Sequence, residues 1–120
     1  MKLKILFILI LAGIFFGSCQ KREDKKVTYI ATNASSEFTL SYRNATGNLQ
    51  TENISMESTQ DKWQYSFITE QGSIIYLSGK YSNITSSLTL IITIDGKVFK
   101  QSSSVGDTLQ YLTVSGVVPY

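Results

Sequence analysis

Histidine is absent from this chain of 120 residues, and cysteine and proline each occur only once. The absence of histidine removes the commonest general base and metal ligand, so serine and zinc sites of the His-dependent kinds are excluded. A single cysteine cannot form an internal disulfide, and a single proline does not make a rigid linker. We therefore expect neither a metal site nor a cofactor.

Paired acidic residues are also missing. The carboxylates of the predicted domain are scattered through turns and strand edges, at Glu37, Glu52, Glu57, Asp61, Glu70, Asp95 and Asp107. Glycosidase-like catalysis needs two carboxylates that face each other, and a calcium loop needs closely spaced acidic ligands. The chain also lacks a glycine-rich phosphate loop. These absences predict no catalytic residues and a protein that is not an enzyme.

The net positive charge comes from the first residues of the chain. Without Lys2 and Lys4, nine of the 11 basic residues remain, which equals the number of acidic residues, 9. Binding to nucleic acid requires a basic face that displaces counterions from phosphates. We therefore do not expect nucleic acid as a partner.

The N-terminal segment has the order of a secretory signal peptide, predicted over residues 1–18. A short basic region at 1–4 precedes an almost unbroken apolar run at 5–16, and two small residues follow. A membrane-spanning helix needs about 20 apolar residues, so this run is short for a span. An uncleaved anchor remains the alternative.

Cys19 directly follows this segment, and Phe16-Gly17-Ser18-Cys19 resembles the lipobox of bacterial lipoproteins. The resemblance implies cleavage before Cys19 and acylation of its sulfur, which would anchor the protein in a lipid bilayer with more than the two lipid signals that stable attachment needs. Phe16 departs from the family, which usually has leucine there. The alternative is that Cys19 is an ordinary small apolar residue of the leader.

Residues 19–26 are predicted to form the lipidated cysteine and a charged tether. Gln20-Lys-Arg-Glu-Asp24 resembles a lipoprotein export signal that directs some lipoproteins of one phylum of Gram-negative bacteria to the outer surface of the cell, although Arg22 interrupts the acidic run. The alternative is a hydrated spacer. We therefore expect attachment to the bacterial outer membrane, on its periplasmic or its cell-surface face.

Asp107-Thr108-Leu109 resembles the short acceptor motif for O-glycosylation of exported proteins in the same bacterial phylum. The resemblance makes Thr108 a candidate glycosylation site.

Residues 27–120 are predicted to form one all-β domain. Short runs of strand-forming residues alternate with turn residues, at 27–33, 37–43, 49–56, 62–69, 73–80, 88–94, 97–103 and 108–115. Asp95-Gly96 is a strong signal for a type I′ hairpin, and 49–56 is polar enough for an edge strand. The spacing predicts an Ig-like antiparallel β-sandwich of seven to eight strands, with a small barrel as the alternative.

Alternation within these runs predicts the buried side chains. The largest contributions to the core are expected from Phe38, Leu40, Trp63, Phe67, Leu77, Leu90, Ile92 and Leu112. The run 88–94 is the most apolar, so it is placed at the centre of a sheet. Trp63 is expected to fill the core, with stacking against a ligand as the alternative.

The order of several motifs carries a further resemblance. A tyrosine-bearing first strand is followed by "FTLSYRNATG", "WQYSF", "GSIIYLSGKY", "LTLIITIDGKVFKQSSS" and a closing "SG". Over residues 27–118 this order resembles the MmpS-like accessory domains, small extracytoplasmic β-sandwiches found beside large membrane exporters, and related bacterial lipoproteins. Lys62-Trp63 departs from the Pro-Trp pair of that family. The resemblance implies a non-catalytic role and no shared catalytic residues.

Two functions follow as expectations. The first is a binding or accessory module that contacts an envelope protein or transporter through exposed aromatic side chains, expected at Tyr29, Tyr76, Tyr81 and Phe99. The second is a surface binder of a glycan or a host protein, which would use the loops at 44–48 and 81–87. The simpler alternative to both is that the tyrosines cover sheet edges and the asparagines only make turns.

Overall fold

The computed structural model describes residues 23–83, 86–105 and 110–120, and this part of the chain consists of strands joined by turns. Eight strands follow one another: β1 (Asp24–Thr32), β2 (Phe38–Arg43), β3 (Leu49–Ile54), β4 (Lys62–Glu70), β5 (Ile74–Tyr81), β6 (Ser87–Ile94), β7 (Lys97–Val105) and β8 (Gln110–Val117). The all-β prediction is confirmed, and each predicted run contains most of one observed strand.

The strands form two antiparallel sheets of four strands each, ordered β4-β1-β6-β7 and β3-β2-β5-β8. Each sheet contains one hairpin, β6–β7 in the first sheet and β2–β3 in the second, and every other connection crosses between the sheets. The buried side chains of both sheets form one hydrophobic cluster. The predicted β-sandwich is therefore confirmed, as are the edge position of β3 and the interior position of β6.

The first strand begins at Asp24, three residues before the predicted start of the domain. Asp24 pairs with Glu70 of β4, and the ammonium group of Lys25 lies 3.6 Å from a carboxylate oxygen of Asp95. The last residues of the predicted tether thus continue the ladder of the first sheet. The sequence does not reveal that β1 starts this early, because exposed charged residues at a strand end have the composition of a linker.

Two of the predicted turns have the expected backbone geometry. Asp95 and Gly96 have φ values of 51° and 82°, both positive, as a type I′ hairpin requires. In the turn after β2, Gly47 has a φ of 83°, and the amide of Asn44 donates to the carbonyl of Asn48 over 2.8 Å. The connection between β7 and β8, residues 106–109, lies outside the described residues.

The core occupies the space between the sheets. Alternating residues of the interior strands are fully or almost fully buried there, including Phe38, Leu40, Leu77, Leu90 and Ile92, as is Leu112 of the edge strand β8; the sequence predicted all six. Trp63 and Phe67 are only half-buried at the margin of this core, because β4 is an edge strand. Tyr29 and Tyr42 are buried and supply much of the aromatic volume.

The sandwich has two ends, which we call the entry end and the far end. The entry end is where the chain enters β1, and it contains the turns at 44–48, 71–73 and 95–96 and the C-terminal residues 118–120. Three backbone hydrogen bonds hold these segments together: Gln71 donates to Glu23, Gly72 to Val118 and Asp95 to Lys26. The far end carries the remaining connections.

Candidate binding surface

Tyr29 does not lie on the surface, so its predicted role as an interface contact is wrong. Its side chain is 0% exposed, because β1 is an interior strand and this position faces the second sheet. The Tyr29 hydroxyl donates to the carbonyl of Arg43 over 2.8 Å and accepts from the amide of Tyr76 over 3.4 Å. Burial raises the pKa of Tyr29 to about 12. This tyrosine connects the sheets.

Tyr81 is also buried, at 3% exposure, and its hydroxyl donates to Oγ of Ser104 over 3.1 Å. Its predicted exposure is therefore wrong as well. The physical reason is the same, since Tyr81 continues the inward-facing alternation of Ile75 and Leu77 on β5.

Phe99 is half-buried and has a structural role. A β-bulge near Ile92 leaves Phe99 without a partner in the β6–β7 ladder, and such an extra residue redirects its side chain. The ring lies against Gly116 of β8, where a Cβ atom would come within 2.8 Å of Phe99 Cε2. Lys100 Nζ donates to the carbonyl of Ser115 over 2.9 Å beside it. Phe99 thus closes one side of the sandwich.

Tyr76 is the one predicted interface aromatic on the outer face of the second sheet. This outer face consists of alternate residues of four strands: Leu49, Thr51 and Asn53 of β3; Thr39, Ser41 and Arg43 of β2; Ile74, Tyr76, Ser78 and Lys80 of β5; Tyr111, Thr113, Ser115 and Val117 of β8. Six of these residues carry hydroxyl groups of serine or threonine, two are cations, and none is a carboxylate.

The outer face carries a pair of contacting tyrosines. The hydroxyls of Tyr76 and Tyr111 lie 3.3 Å apart, and Tyr111 is 61% exposed. The hydrogen bonds from Tyr76 and then from Ser78 lower the pKa of Tyr111. Tyrosine is enriched at the centres of protein interfaces, because it combines apolar area with a polar group. This pair is the part of the face best suited to a protein partner.

The two cations of the outer face carry no ion pair. In residues 23–83, 86–105 and 110–120, the ion pairs within 4.0 Å join Lys25 to Glu23 and to Asp95, and neither Arg43 nor Lys80 takes part in one. A surface with unpaired cations and no acidic group favours an acidic partner, because complementary charge steers association. Sequence reasoning missed Arg43, since a single arginine at a strand end carries no distinctive signal.

A shallow groove of about 340 Å³ lies beside Arg43 at the entry end of this face. Gly47, Leu49, Ile74 and Tyr76 complete its lining. Leu49 is 67% exposed and Ile74 is 56% exposed. A Cβ atom at Gly47 would lie 3.2 Å from Nη2 of Arg43, so the glycine leaves room for the guanidinium. The groove therefore combines apolar walls with one cation.

The turn at 44–48 offers few free polar groups to a sugar. Oδ1 of Asn44 accepts from the amide of Thr46, from the Thr46 hydroxyl and from the amide of Asn48, at 3.1, 2.7 and 3.0 Å. Its Nδ2 donates to Gln50 over 3.3 Å. The asparagine predicted to bind a glycan thus stabilises its own turn. The second predicted loop, at 81–87, begins with the buried Tyr81 and includes two residues outside the described part.

Trp63 belongs to a cluster of five aromatic rings at the edge of the core. Its ring centroid lies 5.0 Å from that of Tyr42 and 6.5 Å from that of Tyr65, and Tyr29 and Phe67 complete the cluster. The Tyr42 hydroxyl donates to Oε2 of Glu52 over 2.8 Å. Burial, followed by this hydrogen bond, raises the pKa of Tyr42. The contacts of Trp63 therefore favour its interpretation as part of the core.

Two of the predicted sites lie outside the described residues, namely Cys19, predicted to be acylated, and Thr108, the glycosylation candidate. Within the described ranges, no group of three or more acidic, cysteine or histidine side chains is arranged to hold a metal ion. The same ranges contain no helix of the length and apolarity that crossing a membrane requires.

The sequence matches no protein-family model, and no curated protein is significantly similar to it. Function is therefore inferred from the residues and their geometry.

Proposed function

We propose that this chain is a lipid-anchored lipoprotein of the bacterial envelope whose β-sandwich is a non-catalytic binding or accessory module. Residues 1–18 would be removed as the signal peptide, and Cys19 would carry the acyl chains. The observation that carries the proposal is the short distance in sequence between the lipobox cysteine and a folded body, because β1 begins at Asp24, five residues after Cys19. A leader that ends directly before such a cysteine is typical of proteins that are attached to a membrane through that cysteine.

The proposed location is the outer membrane, on its periplasmic or cell-surface face. Its support is the sequence after Cys19, which resembles an export signal in part. Glu23 and Asp24, the acidic residues of that signal, lie at the exposed start of the first sheet. They are therefore accessible to an export machinery while the domain is folded.

The proposal includes an immunoglobulin-like classification of the sandwich. Its support is the strand order β3-β2-β5-β8, which corresponds to the C′-C-F-G sheet of that fold, and the pairing of β1 with β4, which corresponds to B with E. The hairpin β6–β7 departs from the pattern, because it is inserted between β5 and β8 and occupies the position of strand A. This classification concerns architecture alone.

The proposed partner is an envelope protein with an acidic surface, and the resemblance to MmpS-like domains makes a membrane exporter the first candidate. The support is the outer face of the second sheet, with the Tyr76–Tyr111 pair, the unpaired Lys80 and no carboxylate. A non-catalytic role is proposed because the resemblance to MmpS-like domains implies no shared catalytic residues and the chain contains no histidine to serve as a general base.

The second candidate, a surface binder of a glycan or a host protein, is favoured by one observation. The outer face carries two tyrosine rings and six serine or threonine hydroxyls, and aromatic rings on a hydroxyl-rich surface suit a polar ligand with an apolar face. The internal hydrogen bonds of Asn44 make the loops themselves poor sugar contacts.

Two measurements in cells test the proposal. Metabolic labelling with an alkyne fatty acid should label the wild-type protein and leave Cys19→Ser unlabelled. A photo-crosslinking residue at Tyr111 should capture one envelope protein, whereas the same residue at the exposed Gln64 on the first sheet should not. Equal labelling of wild type and Cys19→Ser would contradict the anchor, and equal crosslinking from both positions would contradict the binding face.

A further inference from the structure

The exposed large hydrophobic side chains are concentrated at the entry end. The described residues include eight such side chains. Six of them lie close to the strand ends of the entry end or in the C-terminal residues: Leu49, Ile68, Ile74, Val98, Val117 and Tyr120. The other two, Val105 and Tyr111, lie at the far end. Scattered exposed apolar residues are normal, but a concentration at one end indicates a contact surface.

These six residues come from both sheets, so they surround the end of the sandwich. Ile68 and Val98 belong to the first sheet, and Leu49, Ile74 and Val117 belong to the second. Tyr120 is tied to the same end, because its hydroxyl lies where a Cβ atom of Gly72 would come within 2.5 Å. We call this set the apolar rim.

The proposed anchor reaches the chain at the same end. Glu23, the first described residue, accepts a backbone hydrogen bond from Gln71, which directly follows β4 at the entry end. Glu23 lies four positions after Cys19 in the sequence, and even a fully extended chain over four positions spans at most about 14 Å. The headgroup region of one leaflet is about 5–8 Å thick. An acylated Cys19 therefore keeps the apolar rim within reach of the lipid.

We propose that the entry end is a membrane-contact surface, in which the apolar rim enters the headgroup region of the bilayer that holds the acyl chains of Cys19. This inference rests on the proposed function. Aliphatic and tyrosine side chains at such a surface behave like the apolar face of an interfacial segment. Because the anchor keeps the local concentration of lipid high, even a weak contact of the rim with the bilayer persists.

The charges of this end indicate which lipids are needed. Among the described residues of this end, four cationic side chains, Lys25, Lys26, Arg43 and Lys97, stand against four acidic ones, Glu23, Asp24, Glu70 and Asp95. Because these charges balance, the contact of the folded end with the bilayer depends on the apolar rim and not on anionic headgroups. Arg43 has no ion pair with another described residue and lies beside Leu49 and Ile74 in the groove, where its guanidinium can donate hydrogen bonds to a lipid phosphate of any headgroup class.

Depth-dependent fluorescence tests the inference on the acylated full-length protein. Acylation consumes the only cysteine, so an introduced cysteine is the sole thiol for an environment-sensitive dye. The test position is Ile74→Cys on the rim, and the matched control is Val105→Cys, an exposed aliphatic residue at the far end. Circular dichroism establishes that both variants fold. Both are reconstituted into vesicles of phosphatidylethanolamine and phosphatidylglycerol that contain a lipid-borne quencher.

The dye at Ile74→Cys should show blue-shifted emission and quenching at least about twice that at Val105→Cys, and replacing phosphatidylglycerol with phosphatidylcholine should not change this. Equal quenching at both positions, in a protein that floats with the vesicles, overturns the membrane contact and leaves the anchor intact. A protein that does not float contradicts the proposed function itself and removes this inference with it. In native envelope membranes supplied with the same lipid-borne quencher, a blue shift without quenching means that a protein covers the rim, which also overturns the inference.

Discussion

Replacement of Ile92 tests the packing on which the fold depends. Ile92 is 0% exposed on the inner face of β6, between Tyr29 of β1 and Lys100 of β7 in the ladders of the first sheet. Ile92→Ala removes three carbon atoms from a site that the surrounding strands cannot collapse to fill, which costs about 2–5 kcal/mol. For a domain of this size, each 1 kcal/mol lowers Tm by about 4–8 °C, so we expect a decrease of at least about 8 °C.

Ile92→Asp is expected to have a larger effect. A carboxylate at this position has no partner within the apolar core, and burial of an unpaired charge costs more than a domain with about 5–15 kcal/mol of total stability can tolerate. We therefore expect the Asp variant to be unfolded at room temperature. Differential scanning calorimetry and near-ultraviolet circular dichroism of the unlipidated chain measure both variants.

Ile91 provides the matched control, because it is the adjacent residue of the same strand but points to the outer side of the first sheet and is only half-buried. Ile91→Ala should cost about 1 kcal/mol. Equal losses of Tm in the two alanine variants, or a cooperative transition of Ile92→Asp at the wild-type Tm, would refute the assignment of the inner face.

Two other changes test the contact between the sheets. Gly79→Ala should lower the free energy of unfolding in urea by about 1–3 kcal/mol, because its Cβ atom would lie 2.6 Å from Cδ2 of Leu88; an unchanged midpoint would contradict the close approach of β5 to β6. Burial raises the pKa of Tyr29 from 10.0 to about 12, so this tyrosine ionises at a lower pH in the unfolded chain than in the folded one. The free energy of unfolding should therefore be unaffected by Tyr29 below pH 10 and should fall as the pH rises from 10 towards 12. Urea midpoints measured across this range should fall less steeply in Tyr29→Phe than in the wild type, and equal slopes would count against this cause.

Alternation predicted which side of each strand is buried, since successive side chains point to opposite faces of a sheet. The inward faces of β2, β5 and β6 follow from this rule. The hairpin at Asp95-Gly96 could also be predicted, because its turn type depends on two adjacent residues. These features are local, and the sequence contains all the information that they require.

The position of a strand within its sheet is not local: composition indicated it for the polar β3 and the apolar β6, but not for β1. Tyr29 and Tyr76 both alternate with aliphatic residues, so each pattern alone allows either face to be buried. Tyr29 is buried because β1 lies between β4 and β6, partners that begin at least 30 residues further along the chain. Tyr76 faces outward because Ile75 and Leu77 occupy the core. Arg43 could not be identified either, because its significance comes from the absence of a nearby carboxylate.

The direction of the strands relates the proposed membrane contact of the entry end to the proposed protein contact of the outer face. If the entry end rests on the bilayer, β5 leads away from it, and its eight residues span about 27 Å at the usual rise per residue. The Tyr76–Tyr111 pair then faces sideways above the headgroups, and not towards the lipid. Such an orientation suits a partner that projects from the membrane, as the extramembrane part of an exporter does, better than a small ligand that arrives from bulk solvent. Contact with lipid at Ile74 and contact with protein at Tyr111 are therefore compatible, because they use opposite ends of the same outer face.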